Sequence, residues 1–142
     1  RETLNRFIMH KQIIVNLPVA DIAKSQAFFK ALGYSFNPEF TGEQSACLVL
    51  GENLSAMLMV REFFATFTSK PIADAKASTG GWVCLTCDSR GQVDTLIAKA
   101  VAAGGTAPRE AKDYGFMYSN AFEDLDGHTW VLLYMSGKPP KE

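Results

Sequence analysis

Gln12-Ile13-Ile14-Val15-Asn16-Leu17-Pro18-Val19 reads as a β-strand. Successive strand side chains alternate, so Ile13, Val15, Leu17 and Val19 share an aliphatic face and Ile14, Asn16 and Pro18 a mixed one. Asp21 then offers an N-cap, Ile22, Phe28, Phe29 and Leu32 fall on one helical stripe, and Gly33 stands where the helix should stop. Three more strands are expected over Tyr34 to Phe40, Gln44 to Leu50 and Leu54 to Val60. Thr41-Gly42-Glu43 and Gly51-Glu52-Asn53 supply the turns between them.

The same order then returns. Arg61 to Phe67 reads as a helical turn or lid and Thr68 to Gly80 as a polar connector. Gly81 to Cys87 is a strand with Val83, Leu85 and Cys87 on one face and Trp82, Cys84 and Thr86 on the other. Ser89 caps a helix lined by Val93, Leu96, Ile97 and Ala100 and ended by Gly104-Gly105. Thr106 to Glu110, Gly115 to Glu123 and Thr129 to Met135 are the closing strands, the last two joined at Asp124-Leu125-Asp126-Gly127. The fold class expected is α+β. Tandem βαβββ modules would form an open, curved mixed sheet, a half-barrel, with helices outside and a cleft inside. The modules are set at 9–67 and 81–135, with a connector at 68–80, a tail at 136–142 and an extension or tag at 1–8, Met9 being the natural start.

A chain of 142 residues with a net charge of −1 can bury a full core but carries no electrostatic footprint for nucleic acid or an anionic membrane. No apolar run approaches the ~20 residues of a bilayer span, and Arg1 to Ile8 lack the apolar stretch of a secretory signal. Three cysteines fit a reducing cytoplasm. Cys84 and Cys87 form a C-x-x-C, yet on a strand they face opposite ways about 10 Å apart, too far for a disulfide.

Asn16-Leu17-Pro18-Val19-Ala20-Asp21, with Ser25, Phe28-Phe29 and Leu32-Gly33-Tyr34, resembles the opening of a vicinal-oxygen-chelate (glyoxalase/bleomycin-resistance/extradiol dioxygenase) module. Phe122-Glu123-Asp124-Leu125-Asp126-Gly127-His128-Thr129-Trp130 resembles that superfamily's closing turn, with Leu125 where proline is usual. Ala102-Ala103-Gly104-Gly105 and Asp113-Tyr114-Gly115-Phe116-Met117-Tyr118 are similar to a bacterial branch often labelled predicted lactoylglutathione lyase. The resemblance spans Gln12 to Met135. It implies a paired βαβββ fold and a homodimer without fixing the reaction, since relatives isomerise, cleave rings, open an epoxide or sequester drugs.

Metal-using relatives place His, Gln or Glu at one position on the first and last strand of each module. Carried over, these positions are Ile14, Met57 (or Met59), Trp82 and Val131. Aliphatic side chains give no lone pair and an indole N–H only donates. A thioether is too soft for the Zn, Ni, Mn or Fe(II) these enzymes use. The expectation is therefore no metal and no cofactor.

The remaining groups each carry two readings. Asn16 could orient a ligand carbonyl or bond a neighbouring loop. His128 suits a backbone-bonding role in the closing turn better than acid/base work, and Glu62 is a general base only if buried. Glu123 and Asp124 belong to the turn. Met57, Met59, Phe63, Phe64, Trp82, Tyr114, Phe116, Met117 and Tyr118 divide between core and the wall of an apolar cleft. The expected ligand-binding set is Ile14, Asn16, Met57, Met59, Phe63, Trp82, Cys84, Phe116, Tyr118 and Val131, with Glu62, His128 and Tyr118 as catalytic candidates. The leading function is metal-independent binding of a small apolar or aromatic molecule, such as drug sequestration. The rivals are a glyoxalase-like lyase or isomerase and a non-catalytic dimer module.

Overall fold

The computed structural model describes residues 9–141, so the expected extension at 1–8 lies outside the described residues. Two compact units make up the chain. One runs to Gln26 and resumes over Tyr34–Ile72; the other takes Ala27–Gly33 and everything from Ala73 onward. The first helix thus begins in one unit and ends in the other, a division that no module boundary placed in the connector anticipates.

The first unit holds β1 (Ile13–Val19), the start of α1 (Ile22–Ala31), β2 (Ser35–Asn37), β3 (Ser45–Gly51), β4 (Leu54–Val60) and α2 (Arg61–Ala65). Asp21 caps α1 as its sequence suggests, its Oδ1 accepting the Lys24 N–H at 3.0 Å. The sheet order is β1-β4-β3-β2, with β1 parallel to β4 and the other pairs antiparallel. Val19, Ala46, Leu48, Ala56 and Leu58 are buried on one face. β2 is shorter than expected because Pro38 has no N–H for the ladder. A 3-10 turn over Pro38–Phe40 takes its place, held by Asn37 Oδ1 accepting from Glu39 N–H. The Thr41 hydroxyl then donates to the Asn37 carbonyl at 2.7 Å and accepts the Cys47 N–H at 3.0 Å.

The second unit repeats the pattern with β5 (Val83–Thr86), α3 (Arg90–Ala102), β6 (Lys112–Asp113), β7 (Met117–Glu123) and β8 (Thr129–Met135), in the order β5-β8-β7-β6. Ser89 caps α3, accepting the Gln92 N–H at 3.0 Å. The strand expected over Thr106 to Glu110 is absent. Thr106 alone bridges to Glu123; Pro108 interrupts the segment, and the two-residue β6 serves as edge strand instead. Gly105 anchors that bridge: a Cβ there would lie 2.6 Å from the Glu123 carbonyl oxygen and 3.0 Å from the Phe28 ring.

Each sheet is a four-stranded, mixed, open sheet, and the chain is α+β. The core of the second unit is aromatic. Trp130 stacks on Phe122 at 6.3 Å and meets Phe29 edge-on at 5.2 Å, while Phe28 packs on Phe122 at 6.0 Å. The helical segment Ala27–Gly33 belongs to this unit because it delivers those two phenylalanines, and such rings bury more area than most aliphatic side chains.

Candidate functional site

Pairing register fixes which side chains share a face. In the first unit Ile14 is level with Ser55, Asn16 with Met57, Pro18 with Met59, and Cys47 with Met57 across β3–β4. Ile14, Asn16, Met57 and Met59 therefore lie on one face, as the alternation predicts. That face is not dry: Ile14 and Asn16 are exposed and the methionines half-buried. The Asn16 amide donates to the Ile14 carbonyl at 3.4 Å, a weak local bond. Phe63 is half-buried in α2 and meets Phe67 edge-on, while Glu62 on the same helix is exposed.

In the second unit Cys84 lies level with Val131, Val131 with Ala121, and Thr129 with Glu123. Trp82, just before β5, shares their parity. This face forms a concave recess of ≈ 260 Å³ lined by Thr79, Trp82, Arg109, Ala121, Glu123, Thr129 and Val131. Its floor carries three small side chains (Ala121, Thr129, Val131) and Glu123, and its walls are large. Trp82 rises on the β5 side, and Arg109 follows the Thr106 bridge to β7.

Tyr118 and Phe116 are not part of this recess. Tyr118 is level with Tyr134, on the α3 side of the sheet, where its hydroxyl donates to Asp94 at 2.7 Å. The Arg90 guanidinium sits 5.0 Å above its ring while pairing with Asp113. That clasp ties β6 and β7 to α3; the hydrogen bond to Asp94 pushes the Tyr118 phenol pKa up, with Arg90 opposing. Phe116 stands at the opposite end of β7 from Glu123, about 20 Å along the strand, where its carbonyl accepts the Ser136 N–H. His128 lies in the closing turn, where its backbone N–H donates to Asp124 Oδ1 at 3.0 Å. Cys84 and Cys87 are both free. Partial burial pushes both thiols up, away from the nucleophilic thiolate.

Sequence reasoning missed Thr79, Arg109, Ala121 and Thr129, and set Glu123 aside as a turn residue. Glu123 does bond Thr106 through both backbone groups, at 2.8 and 3.1 Å, yet its side chain belongs to the recess. Counting back two residues from Val131 and across to β7 would have found Thr129, Ala121 and Glu123. Arg109, in an irregular loop, left no periodic signal.

Donor chemistry decides whether a divalent ion suits these faces. The recess supplies one carboxylate, Glu123, and two threonine hydroxyls. The first unit's face supplies an amide, two serine hydroxyls, thioethers and the single thiol of Cys47. Among the described residues, no three His, Cys, Asp or Glu side chains gather. Such a set does not fit the His/Glu sites of metal-using relatives.

Residues 11–51 match the sequence model of a family described as bleomycin resistance protein-like, N-terminal. No curated protein matches the sequence. Solved structures do. A hypothetical protein from Staphylococcus aureus superposes with a TM-score of 0.77 at 26% identity, over 92% of this chain and 98% of that one. A glyoxalase/bleomycin resistance protein/dioxygenase family enzyme from Burkholderia phytofirmans gives 0.71 at 18%, over 86% and 96%. The chain has the fold of these glyoxalase/bleomycin-resistance structures. A genomically encoded fosfomycin resistance protein from Listeria monocytogenes shares this fold as well, with a TM-score of 0.65 at 17% identity over 89% of this chain and 94% of that one. At these identities the likeness concerns architecture, and the chemistry of this chain has to be argued from its own side chains.

Proposed function

We propose that this protein binds a small planar or apolar molecule in the recess of its second sheet, without a divalent metal. One observation carries the reading. Trp82 and Val131, the two positions of this unit at which metal-using relatives carry ligands, lie together in the recess, and neither can ligate. An exposed indole over a floor of small side chains suits a flat ligand. The resemblance supports a homodimer, and three unpaired cysteines suit the cytoplasm. No described helix is long and apolar enough to cross a membrane.

The test is a thermal-shift screen of planar antibiotics, aromatic acids and glutathione conjugates, run beside elemental analysis. Compounds that raise the Tm of metal-free protein support the reading. Stoichiometric Ni, Zn or Mn, with Tm falling on chelation, overturns it. If no compound moves the Tm, the face is instead an interface filled by protein.

A second reading is favoured by Glu123 alone. A carboxylate on the recess floor could accept a proton from a bound substrate, as a lyase or isomerase requires. Turnover that disappears in Glu123→Gln while binding persists would establish it.

A further inference from the structure

The recess carries two opposite formal charges that do not neutralise each other. Arg109 and Glu123 both line it, yet the ion pair formed among the described residues is Arg90–Asp113, on other elements. Among the described residues, neither the Arg109 guanidinium nor the Glu123 carboxylate has a hydrogen-bonding partner. Their placement follows from the sheet. Trp82 precedes β5, Thr129 and Val131 are on β8, Ala121 and Glu123 on β7, and Arg109 lies beyond the Thr106–Glu123 bridge. Adjacent strands are about 4.8 Å apart. Trp82 and Arg109 therefore stand at opposite walls, three strand spacings or roughly 14 Å apart at the backbone, with Glu123 on the floor between.

Size narrows the occupant further. A volume of ≈ 260 Å³ falls just below the roughly 300–1,000 Å³ of pockets that hold drug-sized ligands. One ring with short substituents fits within it. A planar guanidinium recognises a carboxylate through two parallel N–H···O bonds. The Glu123 carboxylate only accepts, so it selects a ligand group that donates.

From this arrangement we infer that the recess takes a single-ring aromatic acid bearing a hydrogen-bond donor. The ring lies against Trp82, the carboxylate meets Arg109 and an amino or hydroxyl substituent meets Glu123. The inference rests on the small-molecule reading above and gives it a ligand class.

Titration calorimetry tests it with 4-aminobenzoate, benzoate, 4-aminobenzamide and 2-naphthoate on the full chain. Expected is an order 4-aminobenzoate, benzoate, then the amide, with about tenfold or more between the amino acid and its amide, as a charge-assisted bond implies. Arg109→Gln should erase the preference for acid over amide. Glu123→Gln should erase the advantage of 4-aminobenzoate over benzoate. Both side chains lie at the surface of the recess, so their loss leaves the fold intact, as an unchanged Tm would confirm. Acid and amide binding alike, an acid preference that survives Arg109→Gln, or tighter binding of naphthoate would overturn the ligand class and leave small-molecule binding standing. If none of the four probes binds, while another compound of the thermal-shift screen does, the ligand class alone fails. If nothing binds at all, both readings fail together.

Discussion

The Asp124 carboxylate accepts the indole N–H of Trp130 at 2.9 Å, joining the closing turn of the second unit to the centre of its aromatic core. Its other oxygen accepts the backbone N–H groups of Asp126 and His128, both at 3.0 Å. One side chain thus satisfies three donors around a buried tryptophan. Asp124→Ala strands them all. The indole N–H is buried and the two backbone N–H groups are half-buried; leaving a buried donor unpaired costs about 1–3 kcal/mol, so denaturant unfolding should show a loss of about that size. A loss below about 0.5 kcal/mol, typical of a surface change, would mean that the turn does not depend on this residue.

The same carboxyl sets a pH dependence. Burial pushes Asp124 above the usual aspartate range, opposed by the Trp130 and Asp126 hydrogen bonds and by His128, and reinforced by Asp126. A folded-state value raised above the unfolded one favours the folded form while the group is protonated. The contribution is complete below the unfolded aspartate value of about 3.9 and is lost as pH rises through the folded value. Unfolding of the native chain and of Asp124→Asn, compared from pH 4 to pH 7, should show the native chain losing ground to the variant as pH rises. The opposite trend would mean that the three N–H donors outweigh burial.

Gly127 turns the chain at φ +90°, and a Cβ there would sit 2.8 Å from both Lys76 Cγ and Lys76 N. Gly127→Ala should therefore be destabilising by at least about 1 kcal/mol from backbone strain alone, with more from displacing the segment at Ala75–Lys76. Hydrogen exchange would detect the second effect as faster exchange at Lys76, whose N–H otherwise donates to Asp74 Oδ1 at 3.0 Å. An unchanged Tm and unchanged exchange would contradict this close approach.

Most of the fold is legible in the sequence, because alternation and capping are local. β4 and β8 have the limits that their apolar runs suggest, and Asp21 and Ser89 cap as their residue types predict. The failures lie where local signals conflict with longer-range ones. Pro38 and Pro108 interrupt ladders that the flanking residues would otherwise extend, and Phe28 and Phe29 serve the second unit although they lie in the first module's sequence. The site is less legible. Parity brings Trp82, Cys84 and Val131 onto one face, but the same count puts Tyr118 behind the sheet, where Asp94 and Arg90 hold it. Arg109 owes its place to a single bridge at Thr106, a contact no periodicity announces.

Trp82 is 64% exposed, so its indole contributes little to the core. Trp82→Ala should shift the Tm by no more than about 2 °C, as a surface change within roughly 0.5 kcal/mol implies, while weakening any planar ligand by about tenfold or more. A large drop in Tm would make the indole structural, and unchanged affinity would take it out of the binding site.

Binding without a metal is open to a direct comparison. Calorimetric titration with 4-aminobenzoate is run on protein dialysed against excess EDTA, then repeated after adding Zn, Ni or Mn. The affinity should be the same in every case. Binding that vanishes after EDTA treatment and returns with one of these ions would contradict it.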